Sequence, residues 1–214
     1  MSSAAATVQR LRDAVQHSMK AHAAVVIVQL GGMTEAEANA AIAAGGADAV
    51  ASALTLWKED ANFCSGALCA AAIVSGLGFH GRMDALLDAT LACLETHAAN
   101  DGLCRAGLRI LRYHTTSPHG IEQAVRVASV TRDLMGKHPT VEPVQFYGAW
   151  VFLALASQEE AELSQRFGEL GVVSIREDTL TVAASGMASQ VVVNNEPWHA
   201  FVMRAFYPRL RSGA

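Results

Sequence analysis

EANAAIAAGGADAVASALTLWKEDANFCSGALCAAAIV, residues 37–74, is the stretch of sequence that decides the fold. It divides into a short helical segment, a Gly-Gly break, a second helical segment, a polar turn and a longer third helical segment. Gly45 and Gly46 stand where a sharp turn between helices requires residues that tolerate positive φ. Beyond them, apolar residues resume at helical spacing at Val50, Leu54 and Trp57. The stretch therefore predicts a three-helix unit.

More degenerate copies of this unit follow along the chain, which is the pattern of a repeat protein. They form three further pairs of helical segments, at 80–94 with 100–114, 119–134 with 142–156, and 164–182 with 196–210. Proline in the first turn of a helix lacks only an N–H that would have no partner there. Glu142-Pro143 and Glu196-Pro197 therefore predict the starts of the last two third helices.

Aligning the third helices places Cys64, Cys104, Gln145 and His199 at equivalent positions. The first two intervals are 40 and 41 residues, and the last is 54. The longer interval predicts an insertion of about a dozen residues, at 157–165 or at 184–195, because insertions in repeat proteins map to loops. Three residues after each of these aligned positions the chain has Ala67, Gly107, Gly148 and Val202. The first three are small and predict a close approach of neighbouring helices, and Val202 is a weaker match.

The segment NAAIAAGGADAVASAL, residues 39–54, resembles the armadillo repeat, and the resemblance extends more weakly from Glu35 to Leu210. It implies an all-α fold, a right-handed armadillo-like α-solenoid of about four repeats. The implied organisation is a single domain 1–214 with a cap at 1–34, units at 35–78, 79–116, 117–157 and 158–210, and a tail at 211–214. The cap is expected to be one helix from Val8 to Gln29, or the remnant of an earlier third helix. A HEAT-like solenoid with two helices per unit is the alternative.

In such a solenoid the third helices line a concave face that binds a segment of another protein. The residues expected to bind the partner are Arg105, Arg109, Arg112, Tyr113, Phe146, Trp150, His199 and Arg204. The three arginines, at i, i+4 and i+7, share one face of their helix. On the next of the aligned third helices, Phe146 and Trp150 are aromatic. We expect this groove to bind an acidic, aromatic-containing peptide or a helix of a larger complex, because arginine and tryptophan contribute strongly to interfaces.

Trp150 matches a tryptophan that armadillo proteins of the importin-α type pack against a peptide. Those proteins carry an asparagine four residues later, where this chain has Ile73, Tyr113, Ala154 and Pro208. Without these amides the groove does not hydrogen-bond an extended peptide backbone, so a receptor for nuclear-localisation signals is disfavoured. The arginine stripe also fits an ordinary solvated helix face, and Trp150 also fits core packing between repeats.

Composition is typical of packed helices rather than of a nucleic-acid or membrane protein. The chain has a net charge of −4, with 51% apolar and 6% aromatic residues. Such a charge does not attract nucleic acid or an anionic membrane, and no apolar run reaches the length of a membrane span. The four cysteines lack zinc-ribbon spacing, and no signal peptide is evident. We expect a cytoplasmic or nuclear protein; a Ser/Ala-rich start weakly resembles an organellar presequence.

No catalytic motif is found, so we expect neither enzyme activity nor a cofactor. Cys93 and His97 lie four residues apart, with Cys104, His114 and His119 downstream, but this spacing is not that of a zinc finger and no metal is expected. The sequence GLGFHG at 76–81 lacks the Lys-Ser/Thr of a phosphate loop. Two alternatives stay open. One is a nucleic-acid-associated subunit using the terminal Arg204, Arg209, Arg211 and Tyr207, and the other is a small enzyme without a recognisable motif.

Overall fold

The computed structural model describes residues 3–76, 83–114 and 120–156, together with the pairs 192–193 and 196–197. These ranges contain nine α-helices: α1 (Ser3–Gln16), α2 (Lys20–Gly31), α3 (Glu35–Ala43), α4 (Gly46–Leu56), α5 (Ala61–Gly76), α6 (Asp84–Thr96), α7 (Asp101–His114), α8 (Ile121–Lys137) and α9 (Glu142–Ala156). Two short strands, β1 (Val192–Val193) and β2 (Glu196–Pro197), complete them. The predicted all-α class is confirmed for the described chain, apart from these four strand residues.

The chain divides into two compact units, Met1–Ser117 and Pro118–Ala214. The first unit contains α1 to α7, and the second contains α8, α9 and the two strands. In the second unit, α8 packs against α9.

Helices of the first unit pack in two rows. In one row α2, α5 and α7 lie side by side in that order, and in the other α1, α4 and α6 do the same. Contacts of α1 with α2, α4 with α5, and α6 with α7 join the rows, while the short α3 packs on α1, α4 and α5. The fully buried large side chains of this unit are Leu11, Leu54, Leu68, Leu87, Leu91, Leu94, Leu103, Leu108, Ile110 and Leu111. Burying each of these side chains contributes about 1.5–3 kcal/mol. Because they come from α1 and from α4 to α7, the core extends along the unit.

The Gly-Gly turn between α3 and α4 has the predicted geometry. Gly45 adopts a left-handed φ of +79°. Gly46 is buried, and a Cβ built on it would lie 2.8 Å from the carbonyl oxygen of Ala41. The Arg12 guanidinium donates to the carbonyl of Ala44 at 2.7 Å, which satisfies a group at the end of α3. Within the described residues a short helix like α3 is seen only before α4, and residues 77–82 and 115–119, which precede α6 and α8, lie outside that part of the chain.

A single helix from Val8 to Gln29 is not what forms at the N-terminus. The chain makes two helices, α1 and α2, separated at Ser18, which has a φ of +54°. The N–H groups of Ser18 and Met19 donate to the carbonyls of Val15 and Ala14 at 3.0 and 2.8 Å. This is the hydrogen-bond pattern that ends a helix at a left-handed residue. Because that residue is serine rather than glycine, the sequence carries no obvious stop signal.

One kind of turn, different from that at Ser18, joins α4 to α5, α6 to α7 and α8 to α9. Each of the three preceding helices ends at a residue of similar φ, −115° at Trp57, −114° at His97 and −122° at His138. Three residues on, the N–H groups of Asp60, Asn100 and Val141 donate to the carbonyls of these residues at 2.9, 2.9 and 3.2 Å. The turn thus recurs at intervals of 40 and 41 residues along the chain.

Side chains from the following helix close each of these turns. The thiol of Cys64 lies 3.5 Å from the Trp57 carbonyl oxygen, and the thiol of Cys104 lies 4.0 Å from that of His97. The Gln145 amide donates to the His138 carbonyl at 3.0 Å. Each side chain stands seven residues after the carbonyl that it reaches. The three positions that the sequence alignment made equivalent therefore share this contact.

The glycines predicted at close helix contacts lie where a side chain would clash. A Cβ on Gly107 of α7 would lie 2.6 Å from Leu94 of α6, and one on Gly148 of α9 would lie 2.5 Å from Met135 of α8. The equivalent Ala67 is fully buried. The predicted close approach is confirmed at Gly107 and Gly148, whereas Val202 lies outside the described residues.

Glu196-Pro197 does not begin a helix. These residues form β2, which pairs antiparallel with β1, so that Val192 faces Pro197 and Val193 faces Glu196. The sequence explains the error, because β-branched valines followed by Asn194-Asn195 favour a hairpin with a two-residue connection. Pro143, by contrast, lies in the first turn of α9 as predicted. His199, Arg204 and the insertion at 157–165 lie outside the described residues, as does most of 184–195.

Candidate partner-binding surface

The predicted arginine stripe lies on the exposed side of α7. Arg105 is exposed, and Arg109, Arg112 and Tyr113 are half-buried. The opposite side of the helix carries fully buried leucines and isoleucine. The Arg112 guanidinium carbon lies 5.1 Å from the centroid of the Tyr113 ring, which is a cation–π contact. The structure therefore brings together the four partner-binding residues predicted on this helix.

Two of these residues reach the neighbouring helix α5. A Cβ built on Gly76, the last residue of α5, would lie 3.0 Å from the Tyr113 hydroxyl oxygen and 3.5 Å from an Arg109 guanidinium nitrogen. A glycine at this position leaves room for both side chains. The cationic stripe of α7 is thus continuous with the end of α5.

Apolar side chains are exposed on the other two helices of this row. Val25 and Val28 of α2 are 57% and 75% exposed, and Ile73 of α5 is 38% exposed. A Cβ built on Gly31 of α2 would lie 3.9 Å from the Ile73 side chain, so the ends of α2 and α5 are in contact. We call the surface formed by Val25, Val28, Cys69, Ile73, Arg105, Arg109 and Tyr113 the α2–α5–α7 face.

The sequence analysis named no partner-binding residue on α2, although it allowed the N-terminal segment to be the remnant of an earlier third helix. One signal was present in the run Val25-Val26-Ile27-Val28. Consecutive residues of a helix point in different directions, so this run cannot be buried on one side alone. Val26 and Ile27 are indeed buried, and the two flanking valines are exposed.

The predicted aromatic step forms a cluster on α9, in the second unit. Phe146, Tyr147 and Trp150 are all half-buried. The ring centroids of Phe146 lie 5.3 Å from Tyr147 and 6.3 Å from Trp150, both in edge-on geometry. Such pairs contribute about 0.5–1.5 kcal/mol beyond burial. The cluster therefore combines packing within α9 with partly exposed aromatic surface.

Of the residues considered for a metal, Cys93 and His97 make other contacts in the first unit, and His119 lies outside the described residues. Cys93 Sγ lies 3.5 Å from Cys64 Sγ, and His97 Nε2 donates to the Lys58 carbonyl oxygen at 2.6 Å. The hydrogen bond with Cys93, together with burial, raises the pKa of the Cys64 thiol. Throughout the described ranges, no group of three or more His, Cys, Asp or Glu side chains is arranged to hold a metal ion.

A small cavity lies behind the α2–α5–α7 face. It has a volume of about 30 Å³ and is lined by residues such as Leu30, Val50 and Val74. Pockets for small molecules occupy roughly 300–1,000 Å³, so this space is too small to hold one.

An ion pair fixes the start of α2 beside the start of α5. Asp60 accepts a hydrogen bond from Lys20 Nζ at 2.8 Å and another from the Phe63 N–H at 3.0 Å. Both hydrogen bonds lower the pKa of Asp60, and the bond from Lys20 has the larger effect. A lowered carboxyl pKa stabilises the fold above its ordinary value of about 3.9, and the effect is lost as the pH falls through the folded-state pKa.

Asp60→Asn should therefore lower the Tm at pH 7 and lower it less at pH 3, because the stabilising effect of the ionised carboxyl declines once the pH falls below its ordinary pKa. Asparagine still caps α5, so the variant removes mainly the charge interaction with Lys20. Thermal unfolding followed by circular dichroism at both pH values measures the difference. Glu59→Gln, which removes an exposed charge 76% accessible to solvent, is the matched control. A Tm difference for Asp60→Asn that is equal at pH 7 and pH 3 would contradict this account.

Comparison with protein-family models, curated proteins and solved structures finds no significant match to this chain. The armadillo resemblance thus rests on the residues themselves. Among the described helices, none is long and apolar enough to cross a membrane.

Proposed function

We propose that this chain is an armadillo-type α-solenoid that acts as a non-catalytic scaffold or adaptor, binding another protein along the α2–α5–α7 face. The observation that carries the proposal is a helix-turn-helix geometry that recurs at intervals of 40 and 41 residues, with Cys64, Cys104 and Gln145 closing the turn each time. Repeats of this kind bury their apolar sides against neighbouring units and leave an extended surface for a partner.

The chemistry of the face supports a protein partner. The exposed isoleucine of α5 lies between the exposed valines of α2 and the arginines of α7, and arginine is enriched among the residues that contribute most to protein interfaces. Of the described residues, none places a carboxylate within ion-pair distance of Arg105 or Arg109. We expect these two guanidinium groups to pair with a partner's carboxylates.

The proposal is tested by quantitative pull-down of the tagged full-length chain from its native cell, followed by mass spectrometry. We expect Arg105→Ala/Arg109→Ala to lose a partner that the wild-type chain captures. The matched control is Arg126→Ala/Arg132→Ala, which removes two exposed arginines from α8. Trp150→Ala tests separately whether the aromatic cluster of α9 takes part. Equal capture by the Arg105/Arg109 variant and the wild type, with unchanged circular dichroism, would reject the α2–α5–α7 face.

A further inference from the structure

The α2–α5–α7 face is one continuous surface with an apolar part and a cationic part. Val28 stands one turn before Gly31, where an added Cβ would lie 3.3 Å from Ala70 and 3.9 Å from Ile73. Ile73 stands one turn before Gly76, where an added Cβ would lie 3.5 Å from an Arg109 guanidinium nitrogen. Residues three apart on a helix are surface neighbours, with Cβ atoms about 5–6 Å apart. A ligand crossing the ends of these helices would therefore meet Val28, Ile73 and Arg109 in succession.

Charge is distributed unequally between the two rows of the first unit. Helices α2, α5 and α7 carry four Lys or Arg residues and one Asp, whereas α1, α4 and α6 carry two Arg residues and five Asp or Glu. The net charge of the two rows is thus opposite in sign. Although the whole chain is acidic, the row that bears the exposed valines attracts an acidic ligand.

None of the seven residues that define the face has an amide side chain, which would pair with an extended backbone. On an armadillo-like face, asparagines would have to stand near Ile73 and Tyr113, and neither an isoleucine nor a tyrosine side chain offers the paired donor and acceptor of an amide. A ligand buried on this apolar surface must therefore satisfy its own backbone hydrogen bonds. An α-helix does so, whereas an extended peptide does not.

We infer that the α2–α5–α7 face binds an amphipathic, acidic α-helix of a partner protein. This rests on the proposed function of the face as a protein-binding surface. The apolar stripe of the helix packs on Val25, Val28 and Ile73, and its flanking carboxylates pair with Arg105 and Arg109. Helix-in-groove recognition of this kind uses apolar anchors at i, i+3 or i+4, and i+7.

The probe is a displayed library of random 18-residue peptides selected on the full-length chain. We expect enriched peptides to carry apolar residues at helical spacing with Asp or Glu on the flanks, and to become helical on binding. Fluorescence anisotropy of a selected peptide then measures affinity. Val28→Asp and Arg109→Glu should each weaken binding at least ten-fold, which corresponds to about 1.4 kcal/mol.

Two variants of matching chemistry provide controls. Leu56→Asp puts the same charge on an apolar residue of α4 that is 46% exposed, and Arg132→Glu reverses a charge on α8. Both should bind within two-fold of wild type. A peptide with lysine in place of its glutamates should regain affinity for Arg109→Glu. Cys69, the half-buried thiol of this face, can carry an environment-sensitive fluorophore, since the other three cysteines are buried.

Several results would overturn the inference. These are an absence of enriched peptides, enrichment of basic or proline-containing extended peptides, and binding that is insensitive to Val28→Asp. Self-association of the chain that Arg109→Glu disperses would instead identify a second copy as the occupant. If a captured native partner requires Arg105 and Arg109 but tolerates proline throughout its bound segment, the helix inference fails while the proposed function stands.

Discussion

Replacing Gly107 with valine should lower the free energy of unfolding by about 2–3 kcal/mol, at the upper part of the range for overpacked cores. A Cβ at this position would lie 2.6 Å from Leu94 Cδ2 and 2.8 Å from Leu94 Cγ. Because Cγ is a branch point rather than a flexible end, Leu94 cannot simply swing aside. The substitution must push α7 away from α6 or force Leu94 from its rotamer. Urea unfolding followed by circular dichroism measures the loss.

Two glycines in other helices serve as comparisons for Gly107→Val. Nothing lies within 4 Å of a Cβ built on Gly66 of α5, so Gly66→Val should change stability by less than about 0.5 kcal/mol, as exposed substitutions usually do. Gly148→Val should cost less than Gly107→Val, because the atoms it meets belong mainly to the flexible side chain of Met135. Equal destabilisation by the Gly66 and Gly107 variants would mean that a general helix effect, not the α6–α7 contact, is responsible.

Much of the local structure could be predicted because its signals are carried by single residues. Gly45 marks the turn between α3 and α4, Pro143 marks the start of α9, and Gly107 marks a close helix contact. Each of these residues has a backbone or steric property that few others share. The break at Ser18 could not be predicted in this way, because serine adopts positive φ only when the surrounding contacts require it.

The composition of the candidate site was less predictable than its position. The arginines of α7 were found because a period of three and four residues places them on one side of an amphipathic helix. Val25 and Val28 were missed because a run of apolar residues does not reveal which members a neighbour covers. Exposure of these two valines depends on where α5 lies, and that is a tertiary property. The pairing of Val193 with Glu196 was also missed, because Pro197 favoured the start of a helix while the β-branched valines favoured a strand.

Replacing Gln145 with alanine should lower the free energy of unfolding by about 2–3 kcal/mol. This side chain is fully buried and donates to the carbonyl oxygens of Met135 and His138 at 2.8 and 3.0 Å. The Met135 carbonyl belongs to the last turn of α8, where the backbone provides no intrahelical donor. Losing the amide leaves a buried acceptor unsatisfied, at about 1–3 kcal/mol, and opens a cavity as well. Urea unfolding of the full-length chain measures the effect.

Substitution by cysteine and by leucine separates the causes of this loss. Gln145→Leu fills the space without a donor and also removes the buried Oε1, which has no hydrogen-bond partner among the described residues, so its cost reports the lost hydrogen bonds less the gain from removing that acceptor. Gln145→Cys introduces the residue that closes the equivalent turns at Cys64 and Cys104, where the thiols contact the carbonyls of Trp57 and His97. If the three turns are equivalent, the cysteine variant retains a contact with the His138 carbonyl and is more stable than the alanine variant by about 0.5–1 kcal/mol. Equal stability of the cysteine and alanine variants would show that the third turn does not accept the thiol, and would remove one of the contacts on which the repeat assignment depends.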